Sequence, residues 1–355
     1  MKQGILKDFC QVIAGQSPIG SAYNDNGEGI EFHQGKKAFG EYYIQSSNVW
    51  TTEITKIAEK GDILMSVRAP VGPTNMTDRK ICIGRGLAAI RCTNKVIPSF
   101  VLYALKNIES RIVGNDGAVF NSINKKMIEE LPLPQCSIVE QERIVERLDA
   151  AFAQIDELKS NAERQLAEAR ALFQSALTQA MQPKPGWQEK TLGEIANIIH
   201  GKNQKEVISE TGKYPIYGSG GNIMGYATDY LCEAGTTILG RKGSINNPQF
   251  INEKFWNVDT AFGISAKEDY DNKFIYYFIK SVDWSKKNTG TTLPSLTQSV
   301  VKSVNLFVPN LTDQQAISSN LDSLHAQISK IERVNKRIAA ECDAMKQALL
   351  RQIFE

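Results

Sequence analysis

Two sets of loop side chains in this chain are rich in hydrogen-bond donors. The first is Lys36, Lys37, Gln45, Ser46, Asn48, Arg68, Arg79 and Arg85; the second is Lys202, Asn203, Tyr217, Ser219, Asn222, Arg241, Lys242 and Ser244. Glycine-rich loops carrying Arg, Lys, Asn, Gln, Ser and Tyr supply the groups that meet phosphates and base edges. Arg68 and Arg241 fall at similar places, just after the apolar runs GDILMSV and GTTILG, and rank first on that ground. A single exposed Lys or Arg is more often simply solvated, so the sets carry the reading and their members do not.

Catalytic patterns are missing from the sequence. It contains no G-x-x-x-x-G-K-[ST] phosphate cradle, no H-E-x-x-H and no G-x-S-x-G elbow. No Asp/Asn-Pro-Pro-aromatic run exists to orient a base amino group for methyl transfer, and no paired carboxylates stand out for metal-assisted phosphodiester cleavage. GSGGNIMG (Gly218–Gly225) lacks the flanking strand and helix of a dinucleotide loop, so it reads as a turn. Six scattered cysteines without a C-x-x-C pair, and only His33, His200 and His325, argue against a zinc site and a disulfide framework. No apolar run approaches a membrane span and the opening MKQGILKDF has no signal-peptide stretch, which points to the cytoplasm.

The elements that must position these loops are written twice. LKDFCQVIAG matches LGEIANIIHG, GDILMSVRAPVG resembles GTTILGRKGSIN, and FVLYALKNI parallels FIYYFIKSV. GAVFNSINKKMIEEL parallels GTTLPSLTQSVVKSV, and LDAAFAQIDEL (Leu148–Leu158) returns as LDSLHAQISKI (Leu321–Ile331). Five matches in fixed order, at offsets of 173–186, describe one unit repeated. Short β-branched and aromatic runs broken by Gly, Asn and Pro, with one short helix per half at Pro98–Ile108 and Asn272–Val282, make each half α+β.

Each half ends in a long helix. Ser137 with Glu140 reads as a capping box, and Thr312 with Gln315 as its echo. Leu148, Ile155, Leu158 and Leu172, with alanines between, alternate three and four apart; so do Leu321, Leu324, Ile328, Ile331, Ile338, Met345 and Leu349. Gln165 and Asn335 interrupt the stripe. A seam sustained for over four heptads predicts a coiled coil, with ordinary amphipathic helices packed on their own domains as the alternative. The first helix leads from one globular half to the other, so pairing requires the second to return antiparallel about a pseudo-two-fold axis. About 42 helical residues would make a spacer of roughly 60 Å.

The chain resembles the specificity subunits of type I restriction–modification systems. The features that carry the likeness are LPLPQCSIVEQERIVERLDAAFAQIDEL, PKPGWQEKTLGEIANIIHGKN, GDILMSVRAPVG, VPNLTDQQAISSNLDSLHAQISKI and the G-x-x-x-N/P-S-[IL] stretch before each helix. The resemblance implies target-recognition domains at 1–136 and 183–311, with conserved helices at 137–182 and 312–355. It implies a non-catalytic subunit that reads a bipartite sequence in double-stranded DNA. Two methyltransferase subunits and restriction/translocase subunits would be its partners, and those would carry S-adenosylmethionine, ATP and Mg; no cofactor is expected here. Two features depart from the pattern: the first half lacks the Pro-Gly-Trp lead-in of Pro185–Trp187, and TDQQAI stands where EQERIV is typical. A coiled-coil scaffold with two protein- or glycan-binding domains is the alternative.

Overall fold

The computed structural model describes residues 2–112 and 122–355. Two compact units divide the chain: Met1–Asn161 with Arg337–Glu355, and Ala162–Lys336. The division cuts across chain order, because each unit combines one globular half with portions of both long helices.

The first unit contains β1 (Lys2–Ile5), β2 (Cys10–Ala14), β3 (Tyr23–Asn24), β4 (Ile30–His33), β5 (Trp50–Thr51), β6 (Ile57–Ala58), β7 (Ile63–Ser66), β8 (Thr74–Met76), β9 (Ile81–Ile83), β10 (Leu87–Cys92) and β11 (Pro132–Gln135), with α1 (Pro98–Ile112) and α2 (Lys125–Glu129). One sheet runs β2-β10-β7-β8; a second, β3-β5-β4-β9-β6, includes a parallel β4–β9 pair. Strand β7 is buried on both faces, and its period of two sorts its residues between two cores. Ile63 and Met65 pack with Phe100, Leu102 and Leu105 of α1, whereas Leu64 joins Ile81, Ile83 and Ala89.

The long helix α3 (Ile138–Ala180) follows. The second unit contains β12 (Gln188–Thr191), β13 (Ala196–His200), β14 (Tyr214–Tyr217), β15 (Ile223–Ala227), β16 (Thr236–Gly240), β17 (Gln249–Ile251), β18 (Trp256–Asn257), β19 (Ala261–Ala266) and β20 (Asn305–Val308). Its shorter helices are α4 (Leu192–Ile195), α5 (Asn272–Ser281) and α6 (Gln298–Lys302), and the chain closes with α7 (Leu311–Phe354). The main sheet, β13-β19-β16-β17, repeats β2-β10-β7-β8, and β14 pairs with β18 in parallel as β4 does with β9. Leu239 faces the α5 core while its neighbour Ile238 faces Tyr217 and Phe255, the same division as in the first unit. The fold is α+β, one element order used twice. Residues Gly117–Asn121, which open the first G-x-x-x-N/P-S-[IL] stretch, lie outside the described residues.

The long helices run antiparallel within each unit. In the first, Lys346 bonds Asp156, Lys159 lies 3.3 Å from Asp343, and the Cys342 thiol points at the Ile155 carbonyl. In the second, Arg170 bonds Glu332 at 2.7 Å and Phe173 packs on His325. Leu148, Ile155 and Leu321 are buried in the seam, and Leu324, Ile328, Ile331, Ile338 and Leu349 half-buried. Leu158, Leu172 and Met345 are not seam residues: they are 50%, 65% and 50% exposed. A straight helix of 3.6 residues per turn drifts ~20° per heptad, so the inward stripe moves on by one position. Lys159, Leu166 and Phe173 take the places expected of Leu158, Gln165 and Leu172, and Lys346 that of Met345.

The second cap also differs from expectation. Ser137 Oγ accepts from the Glu140 N–H at 3.3 Å, but on α7 the capping residue is Asn310, whose side chain accepts from Asp313 N–H at 3.0 Å. Asn310 stands 173 positions after Ser137, in true register with it, and Thr312 already lies within the helix.

Two polar ties fix each long helix to the short helix packed beside it, α1 or α5. Gln141 is 2% exposed; its Oε1 accepts from Ile97 N–H at 2.8 Å and its Nε2 donates to the Cys136 carbonyl. Gln314, 1% exposed, repeats this with Asp271 N–H at 2.9 Å and the Pro309 carbonyl. The Tyr103 hydroxyl donates to Asp149 and the Tyr277 hydroxyl to Asp322. Replacing either glutamine by Leu strands a buried backbone N–H and should cost about 1–3 kcal/mol of stability. Gln315→Ala, on the exposed side, should stay within about 0.5 kcal/mol of wild type. Denaturant melts of the three variants check both expectations.

Candidate nucleic-acid interface

The loop after β7 shows how the fold presents a cation. Val67 N–H donates to Gly86 at 3.0 Å and Ile123 N–H to Val67 at 3.0 Å, so the strand continues as a bridge between Arg68 and Ser122. The second unit repeats every bond: Arg241 N–H to Thr260 at 2.8 Å, Leu296 N–H to Arg241 at 2.8 Å, and a bridge between Lys242 and Ser295. Arg68 therefore corresponds to Lys242, and Arg241 to Val67. Successive strand residues face opposite ways, so the cation displayed by the second unit is one position beyond Arg241. Lys242 is exposed, whereas Arg241 is half-buried and donates to the Asp259 carbonyl at 3.1 Å.

Other expected contacts gather around Arg68. Gly86 N–H donates to Gln34, which leads into the turn carrying Lys36 and Lys37, and Gln45 N–H donates to Ala38. Arg85 is exposed on the same β9–β10 turn, with its N–H on Ser17 Oγ. Ser46 and Asn48 are exposed on the next loop, where Asn48 adopts a left-handed φ of 55°. Arg79 is committed internally: it donates to Glu31 at 2.7 Å, to Asp78 at 2.7 Å and to the Ile44 carbonyl at 3.0 Å. Its charge is matched inside the domain, so it leaves the set of contact candidates.

In the second unit the turn Gly218–Asn222 is a hairpin tip, closed by Gly218 N–H on the Asn222 carbonyl. Added side chains at Gly220 and Gly221 would stand 3.5 Å from Ser244 Oγ and 2.5 Å from Gln249 Cγ, so the tip lies against the loop that follows Lys242. Asn222 and Ser244 thus share one surface, and Lys242 is exposed two positions before Ser244. Lys202 and Asn203 are exposed on a separate loop, where the Lys202 carbonyl accepts from Trp256 Nε1. Tyr217 leaves the set. It is 9% exposed, packs on Phe255 and donates its hydroxyl to Glu253 at 3.1 Å. Beside Ser244 a cavity of about 420 Å³ is lined by Asn246, Asn247, Ser285, Asn288 and Pro294. The run SINNPQF signals this polar wall, although Asn246 itself braces Trp284 N–H and Asp283. Among the described residues no group of His, Cys, Asp or Glu is arranged to hold a metal ion.

Beneath the first unit's loops, Glu31 organises a charged cluster. Burial raises its pKa, but Arg79, the Ser47 N–H, Ser46 and nearby His33 together bring it to about 2. His33, 1% exposed, has its Nε2 3.1 Å from Glu31, and burial holds its pKa below the usual 6.5 against the pull of Glu31.

The type I restriction modification DNA specificity domain matches residues 1–168 and 184–340, and the chain belongs to that family. A putative type I restriction enzyme specificity subunit, MjaX, of Methanocaldococcus jannaschii is 39% identical over 172 residues. That match covers 48% of this chain and 40% of the relative, less than half of its length. A chain described under complex assembly and conformational transition of the type I R–M system covers 100% of this chain and 97% of itself, with a TM-score of 0.80 at 17% identity. The HsdS subunit of Thermoanaerobacter tengcongensis covers 99% and 96%, with a TM-score of 0.55 at 17% identity. The structural likenesses, at such identities, are likenesses of fold. No helix among the described residues is long and apolar enough to cross a membrane.

Glu31→Gln should destabilise the first unit by about 2 kcal/mol, through loss of the charged partner of Arg79. A folded pKa near 2 against the usual 4.5 means that the carboxylate stabilises above about pH 4.5 and the effect fades as pH falls toward 2. Acid melts should therefore show wild type and variant converging below pH 4.

Proposed function

We propose that this chain is the non-catalytic DNA-recognition subunit of a type I restriction–modification complex, with each unit reading one part of a bipartite duplex target. The observation that carries this reading is the duplicated cation mount: Arg68 on Ser122 and Lys242 on Ser295, each exposed at the rim of its sheet. Around each mount the two loop sets differ, Lys36, Lys37, Gln45 and Arg85 in one and Ser219, Asn222 and Ser244 in the other. A common scaffold with divergent loops suits two different half-site sequences. Family membership supports the reading and lends none to a scaffold with protein- or glycan-binding domains.

The exposed sides of α3 and α7 would dock two methyltransferase subunits. Leu172 and Met345, 173 positions apart and both exposed, offer the same apolar contact twice. Restriction/translocase subunits would join that assembly in the cytoplasm. S-adenosylmethionine, ATP and Mg would reside on the partners, and this chain would supply sequence selection alone.

Phosphate neutralisation gives the test. With the methyltransferase bound, Arg68→Ala and Lys242→Ala should each weaken duplex binding and lower the slope of log affinity against log salt by about one. Arg241→Ala should change the slope less, because its half-buried guanidinium is held on the Asp259 backbone carbonyl. Exchanging the first globular half for a relative's should change one half of the methylated sequence and keep the other. Change in both halves or in neither would refute the two-reader model.

A further inference from the structure

Strand β15 carries an irregularity at Met224. Gly225 pairs with Ile216 and Ile223 with Tyr217, so Met224 is an extra residue with no partner of its own on β14. A bulge of this kind re-aims side chains. Here Ile223 and Met224 are both 50% exposed, with Tyr226 and Ile208 each 48% exposed beside them. An added side chain at Gly225 would touch Ile208 Cδ1 at 3.0 Å, and one at Gly218 would touch Met224 Sδ at 3.1 Å, so the patch is continuous with the hairpin tip. Single exposed apolar residues are ordinary, whereas four together mark a contact surface.

The setting indicates the occupant. From Pro215 to Thr228 the chain carries no charged residue, and Ser244, two positions after Lys242, lies against the tip. A polyanion can therefore approach Ile223 and Met224 without meeting a carboxylate on β14 or β15, the exposed Glu206 and Glu210 lying on the Ile208 segment that borders Tyr226. Strands of a sheet can lie in the major groove of B-form DNA, where thymine alone offers an apolar group, its 5-methyl, and β15 is the outer strand of the three-stranded sheet β15-β14-β18. An adjacent amide such as that of Asn222 matches the N6/N7 edge of the paired adenine.

We infer that the bulged edge of β15 enters the major groove and that Ile223 and Met224 receive thymine methyl groups, which makes them specificity-determining residues of the second unit. This inference rests on the DNA-recognition reading and adds the base feature recognised. It has no counterpart in the first unit, where Lys36 and Lys37 follow β4, the counterpart of β14.

Deoxyuridine provides the test, since it keeps every hydrogen bond of thymine and lacks the methyl. The complex with the methyltransferase is used, and its two half-sites are first mapped by methylation. Replacing thymines by deoxyuridine in the second unit's half-site should weaken wild-type binding about three- to fivefold per methyl contacted. The Ile223→Ser, Met224→Ser double variant should bind thymine and uracil duplexes equally, with an unchanged salt slope and unchanged melting. Wild-type indifference to uracil there, a half-site without thymine, or a variant that still discriminates would each overturn the inference while leaving DNA recognition intact. A variant that folds but no longer assembles with the methyltransferase would overturn it in favour of a protein contact. A wild-type complex with no preferred duplex would defeat the underlying reading as well.

Discussion

The structure depends on fastening a long, largely solvated helix to the short helix beside it at a fixed rotation. Apolar burial alone would do this loosely, because a stripe of Ala, Leu and Ile can slide or turn by one residue at little loss. The buried amides of Gln141 and Gln314 remove that freedom. Each takes the backbone N–H ahead of the short helix and donates to the chain entering the long one. A buried N–H must be satisfied, so the amide accepts only one geometry. The Tyr103–Asp149 and Tyr277–Asp322 bonds add a second point two turns along, and two points define the helix's rotation.

The repeat is faithful in its ties and inventive in what surrounds them. Positions 152 and 325 correspond, as do 173 and 346. In the first unit the pair is Phe152 with Lys346, the ammonium 5.3 Å from the ring centre and bonded to Glu41 and Asp156. In the second it is His325 with Phe173, ring centres 5.7 Å apart. The aromatic partner has moved from one helix position to the other, and the packing is conserved while the chemistry is exchanged. The first junction is thus charged, the second largely apolar, with Leu177, Tyr277 and Leu321 completing it.

Much of this was legible in the residues. Long helices without Pro or Gly, the ordered repeats, and the α1 and α5 positions follow from periodicity, and the structure has helices at Pro98–Ile112 and Asn272–Ser281. Several misplacements are of a residue or two. Thr312 resembles a cap in isolation, but only counting 173 from Ser137 reaches Asn310. A strict heptad misses the drift that exposes Leu158, Leu172 and Met345. Arg79 and Tyr217 look like surface donors because composition cannot see the Glu31 and Glu253 carboxylates that the fold brings from distant positions.

Such single-residue errors matter most where chemistry is displayed, because a strand turns consecutive side chains to opposite faces. Arg241 and Lys242 are neighbours in sequence, yet one braces the Asp259 carbonyl and the other faces solvent. The same alternation would hide either Ile223 or Met224, had the extra residue in β15 not broken the register. A strand end one residue longer presents a different cation, and a strand one residue out of step presents two apolar side chains. A recognition surface can therefore be rewritten in steps of one residue while the buried glutamines and tyrosines that hold the scaffold stay where they are.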